Sequence, residues 1–293
     1  MKAKKLIIIG NGFDLYFGLP TSYEEFEKHI TKKHPKEKED IEDVFLPQEQ
    51  GESTLWSNFE ENLERIDRDW FLANSPKTPD EAQELYPYIA SCTDTIKELF
   101  ERWAKALPCK VNSGNKTLIE DAFVISFNYT LTLEKNFNVG QNQIYHIHGT
   151  TKEDIVFGHK QGVQFPQRKI APYDMDQEDL DQYNPNDDVV VGWLNDYLKK
   201  TEKPIDDIIP NSEKILANQY QFNFADIEEI FVIGHSYSEI DFPYFEWINR
   251  KTNAKWRLGY YKSPCKACHF FEKIQAKEIV LKPNKELIDE VLR

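Results

Sequence analysis

Asn128 and His148 are the side chains best suited to chemistry in this sequence. An imidazole takes up and releases a proton near neutral pH, and a carboxamide can hold a water or a hydroxyl without changing charge. Each stands at the end of an apolar run: Asn128 closes AFVISFN at 122–128, and His148 precedes Gly149 in QIYHIHGT at 143–150. The same form, an apolar run followed by glycine and a small polar or imidazole group, recurs at Gly10-Asn11-Gly12-Phe13-Asp14, at Gly158-His159 and at Gly234-His235-Ser236. Glycines at such turns let the backbone approach a phosphate, and a helix that follows presents free N–H groups to the anion. His146, two residues earlier on the same strand face as His148, is the competing base. The plainer reading of His148 is a ring that hydrogen-bonds a neighbouring strand.

A different chemistry is metal-assisted hydrolysis, in which His146, His159 and His235 join Asp14 or Asp241 around zinc or manganese. Their spacings match no common ligand motif, so no metal is expected. Cys265-Lys266-Ala267-Cys268 is a single C-x-x-C, and Cys92 and Cys109 do not supply the second pair of a four-thiolate zinc site. Glu239 and Asp241 follow the Gly234-His235-Ser236 turn and open a helix. One of them is expected to face a ligand or an insert residue, with capping as the plain alternative.

These residues need a sheet to position them. Leu6 to Ile9, Ala122 to Phe127, Gln143 to Thr150, Ile155 to His159 and Glu229 to Ile233 read as buried strands, with Trp256 to Tyr261 and Glu278 to Leu281 as final strands. The expectation is an α/β fold, a Rossmann-like, mostly parallel sheet, with ligands at the carboxyl ends of its strands. Residues 1–23 and 111–293 form that nucleotide-binding domain, and 24–110 form a helical insert. Within the insert, Leu55, Trp56, Phe59, Leu63, Ile66 and Trp70 predict one amphipathic helix from Thr54 to about Trp70, and Asp80 to Leu107 predicts another. Trp56 and Glu60 share a helix face and suit a helix-to-sheet anchor. Residues 31–53 read as a solvated loop or frayed helix, and 160–227 as a polar segment able to cover the site.

Composition limits the partners. With 36 Lys and Arg against 50 Asp and Glu, the net charge of −14 argues against a broad nucleic-acid surface. No apolar stretch spans a bilayer and the first residues lack a signal-peptide pattern, so a cytoplasmic protein is expected. Four cysteines in 293 residues fit a reducing compartment.

The blocks IIIGNGFDLYFGLPTSY at 7–23, Trp56 with Glu60, SFNYTLTLE at 126–134, HIHG at 146–149, FGH at 157–159 and GHSYSEIDFPYF at 234–245 resemble the AbiH-type phage abortive-infection family. In the same order they are more distantly similar to the sirtuin-like NAD-binding fold. That resemblance implies NAD as substrate or ligand, with Gly10 and Gly12 matching the pyrophosphate loop, and Asn11, Phe13 and Asp14 of the same stretch are expected to join them in cofactor binding. It implies that Asn128 orients the nicotinamide ribose and a water, that His148 is the general base, and that Gly234 and Ser236 make a second phosphate and ribose contact; Gly149, His235 and Asp241, beside them, are expected to add to cofactor binding. Asp14 stands where serine is usual, Thr130 where an aspartate follows the asparagine, and the cysteine zinc module is absent, which argues against deacylation. The implied activity is hydrolysis of the nicotinamide-ribose bond. A non-catalytic nucleotide or ADP-ribose sensor acting through a partner and a metal-dependent nuclease are the alternatives. A nucleotide ligand, a phage-derived trigger and a homo-oligomer are the expected partners.

Overall fold

In the computed structural model, which describes residues 3–44, 56, 58–112, 114–166 and 184–293, the strands are β1 (Lys5–Ile9), β2 (Ala122–Ser126), β3 (Ile144–His146), β4 (Glu229–Ile233), β5 (Lys255–Tyr260) and β6 (Ile279–Pro283). They form one sheet in the order β3-β2-β1-β4-β5-β6, and every pair is parallel. A parallel sheet is covered on both faces, so its strands read as unbroken apolar runs, and Leu6 to Ile9 are all buried. Alternation then sends Leu6 and Ile8 into one core with Phe123, Ile125, Val232 and Trp256, and Ile7 and Ile9 into the other with Val124, Phe137, Ile233 and Leu287.

The strand order is that of a doubly wound α/β fold. The chain builds outward from β1 to β3, then crosses back to lay β4 on the other flank of β1, so the topological switch lies between β1 and β4. Register fixes the level of the strand ends. Ile9 is opposite both Ser126 and Ile233, and Ser126 is opposite His146, so the turns that follow four adjacent strands emerge together. The fifth expected end is different: Ile155 to His159 is not a strand of this sheet. Gly158, at φ +152°, lies against the Thr201 carbonyl, and His159 makes an isolated bridge to Glu202.

The chain divides into two compact units. One comprises Met1–Glu25, Glu101–Val156 and Pro204–Arg293 and contains the sheet; the other comprises Phe26–Phe100 and Phe157–Lys203 and is mainly helical. In the second unit, Phe26 meets Trp56, Phe59 and Phe100 with ring centroids 5.7, 5.6 and 5.4 Å away. Trp56 stacks on Phe59 and donates from its ring N–H to Glu42 at 2.8 Å, while Glu60 accepts from the Gly158 N–H and pairs with Lys203 at 3.2 Å. Trp56 and Glu60 are thus anchors within this unit.

The helix expected over 54–70 is broken into Phe59–Asn62 and Arg68–Ala73, because the Asp67 side chain accepts from the Trp70 N–H and starts a new helix. Thr54 and Leu55 lie outside the described residues, as do 45–53 of the charged segment and 167–183 of the covering segment. Ordered helices, Tyr23–Lys33 and Pro35–Glu42, occupy most of the rest of the charged segment, with Pro35 starting the second. The second insert helix runs Pro79–Lys105. No helix among the described residues is long and apolar enough to cross a membrane.

Candidate active site

The turn after β1 packs directly on the turn after β4. The Gly12 N–H donates to the Gly234 carbonyl at 2.7 Å, and the Gly10 N–H donates to the Ile233 carbonyl at 3.0 Å. A Cβ on Gly12 would stand 2.8 Å from Gly234 Cα, and one on Gly234, whose φ is +65°, would stand 2.2 Å from the Phe13 nitrogen. Glycine is required here for backbone against backbone. The Phe13 N–H is also engaged, by the Gly10 carbonyl at 2.9 Å. Asn11 and Ser236 are exposed at the two turns, and the Asn11 amide donates to the Thr21 carbonyl at 2.8 Å.

Behind that turn Asp14 is buried, with 1% of its surface exposed. Its Oδ2 accepts from the Thr130 hydroxyl at 2.5 Å, and Thr130 in turn accepts from the Thr132 hydroxyl at 3.0 Å. Burial raises the Asp14 pKa above the ordinary carboxylate value, and Thr130, Thr132, the Asn128 amide and His146 work in the other direction. Asn128 is 6% exposed. Its main chain is fixed by Ser126, whose hydroxyl oxygen accepts from the Asn128 N–H at 3.2 Å, and its carbonyl lies 2.9 Å from His146 Nδ1. The other ring nitrogen of His146 lies 2.9 Å from Glu134 Oε1. Yet Oδ1 of Asp14, both polar atoms of the Asn128 side chain and Oε2 of Glu134 are buried without a hydrogen-bond partner.

His148 is 2% exposed, and its Nε2 lies 3.3 Å from the Tyr244 hydroxyl. Phe127 presents T-shaped contacts to both His148 and His235, with centroids 5.1 and 5.0 Å away. His235 Nδ1 accepts from the Tyr237 N–H at 2.9 Å, so its proton sits on Nε2, 3.2 Å from Asp241 Oδ2. The Asp241 side chain therefore holds an imidazole and makes no cap, whereas Ser238 caps the Glu239–Asp241 turn by accepting from the Ile240 N–H. Gly149, at φ +76°, is pressed against the Asp154 carbonyl.

Of the residues singled out in the sequence, the fold draws Asp14, Asn128 and His146 into one polar network, and His148 and His235 against Phe127. His159 belongs to the second unit, where both ring nitrogens face carbonyls, those of Lys160 and Leu198 at 2.8 and 3.0 Å. No group of three or more His, Cys, Asp and Glu among the described residues is arranged to hold a metal ion.

Residues 6–261 match the family model for bacteriophage abortive infection AbiH. The chain belongs to the AbiH family. Its biological setting is therefore abortive-infection defence against phage. No curated protein and no solved structure matches the chain. The match spans every block that forms this site in the AbiH protein, from the β1 turn to Asp241. The partners Thr130, Thr132, Glu134 and Tyr244 were not singled out from the sequence as site residues. The signal for three of them was there: after β2, polar residues recur at every second position through Asn128, Thr130, Thr132 and Glu134. Nothing comparable marks Tyr244.

Proposed function

We propose that this AbiH protein acts in phage defence by binding NAD, or a related nucleotide, at the carboxyl ends of β1 to β4 and hydrolysing its nicotinamide-ribose bond. The observation that carries the reading is the set of unsatisfied polar atoms on Asp14 and Asn128, buried at the ends of adjacent strands. A buried donor or acceptor without a partner costs about 1–3 kcal/mol, so a native fold keeps one where something else completes it. In an open parallel sheet the carboxyl ends beside the switch strand are where ligands sit.

The chemistry follows from the residue types. Water attacks C1′ of the ribose, the C1′–N bond breaks, and nicotinamide leaves with the electron pair through an oxocarbenium-like state. Asn128 has a donor and an acceptor with which to hold the water or the ribose hydroxyl, and His148 takes the proton that the water loses. Phe127 and Tyr244 set the plane of the His148 ring.

A second reading, a nucleotide sensor without chemistry, is favoured by the same packing, since a ring held by Phe127 and hydrogen-bonded to Tyr244 also suits a structural histidine. Incubating the purified protein with NAD, with and without chelator, and measuring free nicotinamide separates the readings. Release that survives chelation supports hydrolysis. Tight binding without release under any activating condition favours the sensor, and release abolished by chelation favours a metal-dependent hydrolase.

A further inference from the structure

The turn after β1 reads as a phosphate cradle, but its chemistry is that of an anion-excluding one. Its N–H donors at Gly10, Gly12 and Phe13 are all occupied by carbonyls. The buried group that follows them is a carboxyl, and the groups acting on it most strongly are hydroxyls, an amide and a histidine, with no lysine or arginine among them. What the cluster lacks is hydrogen-bonding partners: Asp14 Oδ1 and Asn128 Oδ1 each need a donor, and Asn128 Nδ2 needs an acceptor. A phosphate at neutral pH offers acceptors and negative charge, so it leaves two of the three unmet and sets an anion against Asp14. A vicinal diol offers two O–H donors and oxygen lone pairs, and meets all three.

We infer that Asp14 and Asn128 together form a well for the cis-diol of a ribose, and that the phosphates of a bound nucleotide point away from the β1 turn. Asp14 is then a specificity-determining residue: it selects a ribose ring over a deoxyribose one and sets the direction in which the ligand lies on the sheet. This inference rests on the nucleotide reading above, and it reverses the orientation that a glycine loop after β1 implies.

The test compares ribose 5-phosphate, 2-deoxyribose 5-phosphate and inorganic phosphate by NMR titration, and ADP-ribose by calorimetry, on the wild type and on Asp14→Asn, with thermal unfolding to show that both are folded. The expected result is a preference of about tenfold or more for ribose 5-phosphate over its 2-deoxy analogue. Asp14→Asn, which puts a donor where an acceptor is needed, should erase that preference. Equal affinity for the two sugar phosphates, with inorganic phosphate and ADP-ribose binding tighter to Asp14→Asn, overturns the inference and leaves nucleotide binding standing. Absence of ADP-ribose and ribose 5-phosphate binding to the wild type overturns both.

Discussion

The Thr130 hydroxyl donates to Oδ2 of Asp14 at 2.5 Å across 116 residues of sequence, joining the short helix Asn11–Tyr16 that follows β1 to the turn after β2. The bond holds one carboxyl oxygen while the other stays unmet, so Asp14 is both a tie between strands and an open acceptor.

That arrangement gives a pH signature. Because burial raises the folded pKa of Asp14, its favourable contribution to stability is fully present below the unfolded value of 3.8 and is lost as pH rises through the folded pKa. Asp14→Asn stays neutral at every pH and can still accept from Thr130. Its melting temperature relative to wild type should therefore be higher at pH 7.5 than at pH 4, in paired calorimetric scans, and the opposite trend would remove the case for a strained carboxylate.

Loss of His148 or Asn128 should abolish chemistry while sparing the fold. His148→Ala and Asn128→Ala are each expected to lower nicotinamide release by about a hundredfold or more, the usual share of a general base, and to relieve toxicity on overexpression. Asn128→Ala loses the amide that acts on buried Asp14 but none of the main-chain ties at this position, so it should stay folded with a melting temperature close to that of the wild type. An Asn128 variant that melts far lower would make the residue structural.

The glycines should rank by what surrounds them. Gly234→Ala meets both a left-handed φ and the Phe13 nitrogen at 2.2 Å; Gly12→Ala meets the Gly234 backbone at 2.8 Å; Gly18→Ala, at φ +78°, meets nothing within 4 Å. Urea unfolding should show the largest loss for Gly234, then Gly12, with Gly18 near 1 kcal/mol, roughly the cost of a left-handed non-glycine residue.

His235 should be found as the Nε2–H tautomer, because its Nδ1 is occupied by the Tyr237 N–H. Nitrogen-15 shifts of the ring are the direct readout. Asp241→Asn keeps an acceptor oxygen 3.2 Å away in principle and should preserve the tautomer, whereas Asp241→Leu should destabilise the turn that Gly234 to Asp241 builds.

His159 predicts a second pH effect of the opposite sign. Burial lowers its folded pKa below 6.5, so the unfolded chain takes up the proton first and stability falls as pH drops through 6.5. Wild type should lose more stability than His159→Gln between pH 8 and pH 5 in urea titrations, and equal losses would assign the effect to other groups.

Much of this architecture was legible because it rests on continuous burial. LIII, AFVIS and EIFVI are covered on both faces, and such strands advertise themselves as unbroken apolar runs. The second unit was harder, since a helical period from Leu55 to Trp70 cannot reveal that Asp67 will cap a new helix inside it. Gly158-His159 has the apolar-run-then-glycine form of a strand end, but its glycine serves contact with Thr201 instead. The same ambiguity governs Gly12, because a glycine that admits a phosphate and a glycine that admits another backbone leave the same letter in the sequence. In the strand-end cluster, Asn128 and Asp14 were legible by residue type, whereas the buried atoms without partners that they carry are disclosed only by burial.

The place of β1 in the sheet bears on when, during synthesis, the strand-end cluster can form. The first strand synthesised pairs with nothing near it in the chain, since Lys5 lies level with Ala122 on one side and Glu229 on the other. Contacts so distant in sequence form late and slowly. A ribosome must translate through β4 before the two glycine turns can meet, so a chain stalled short of β4 cannot bring them together. Topology alone withholds the Gly12–Gly234 contact from every copy that stops before β4.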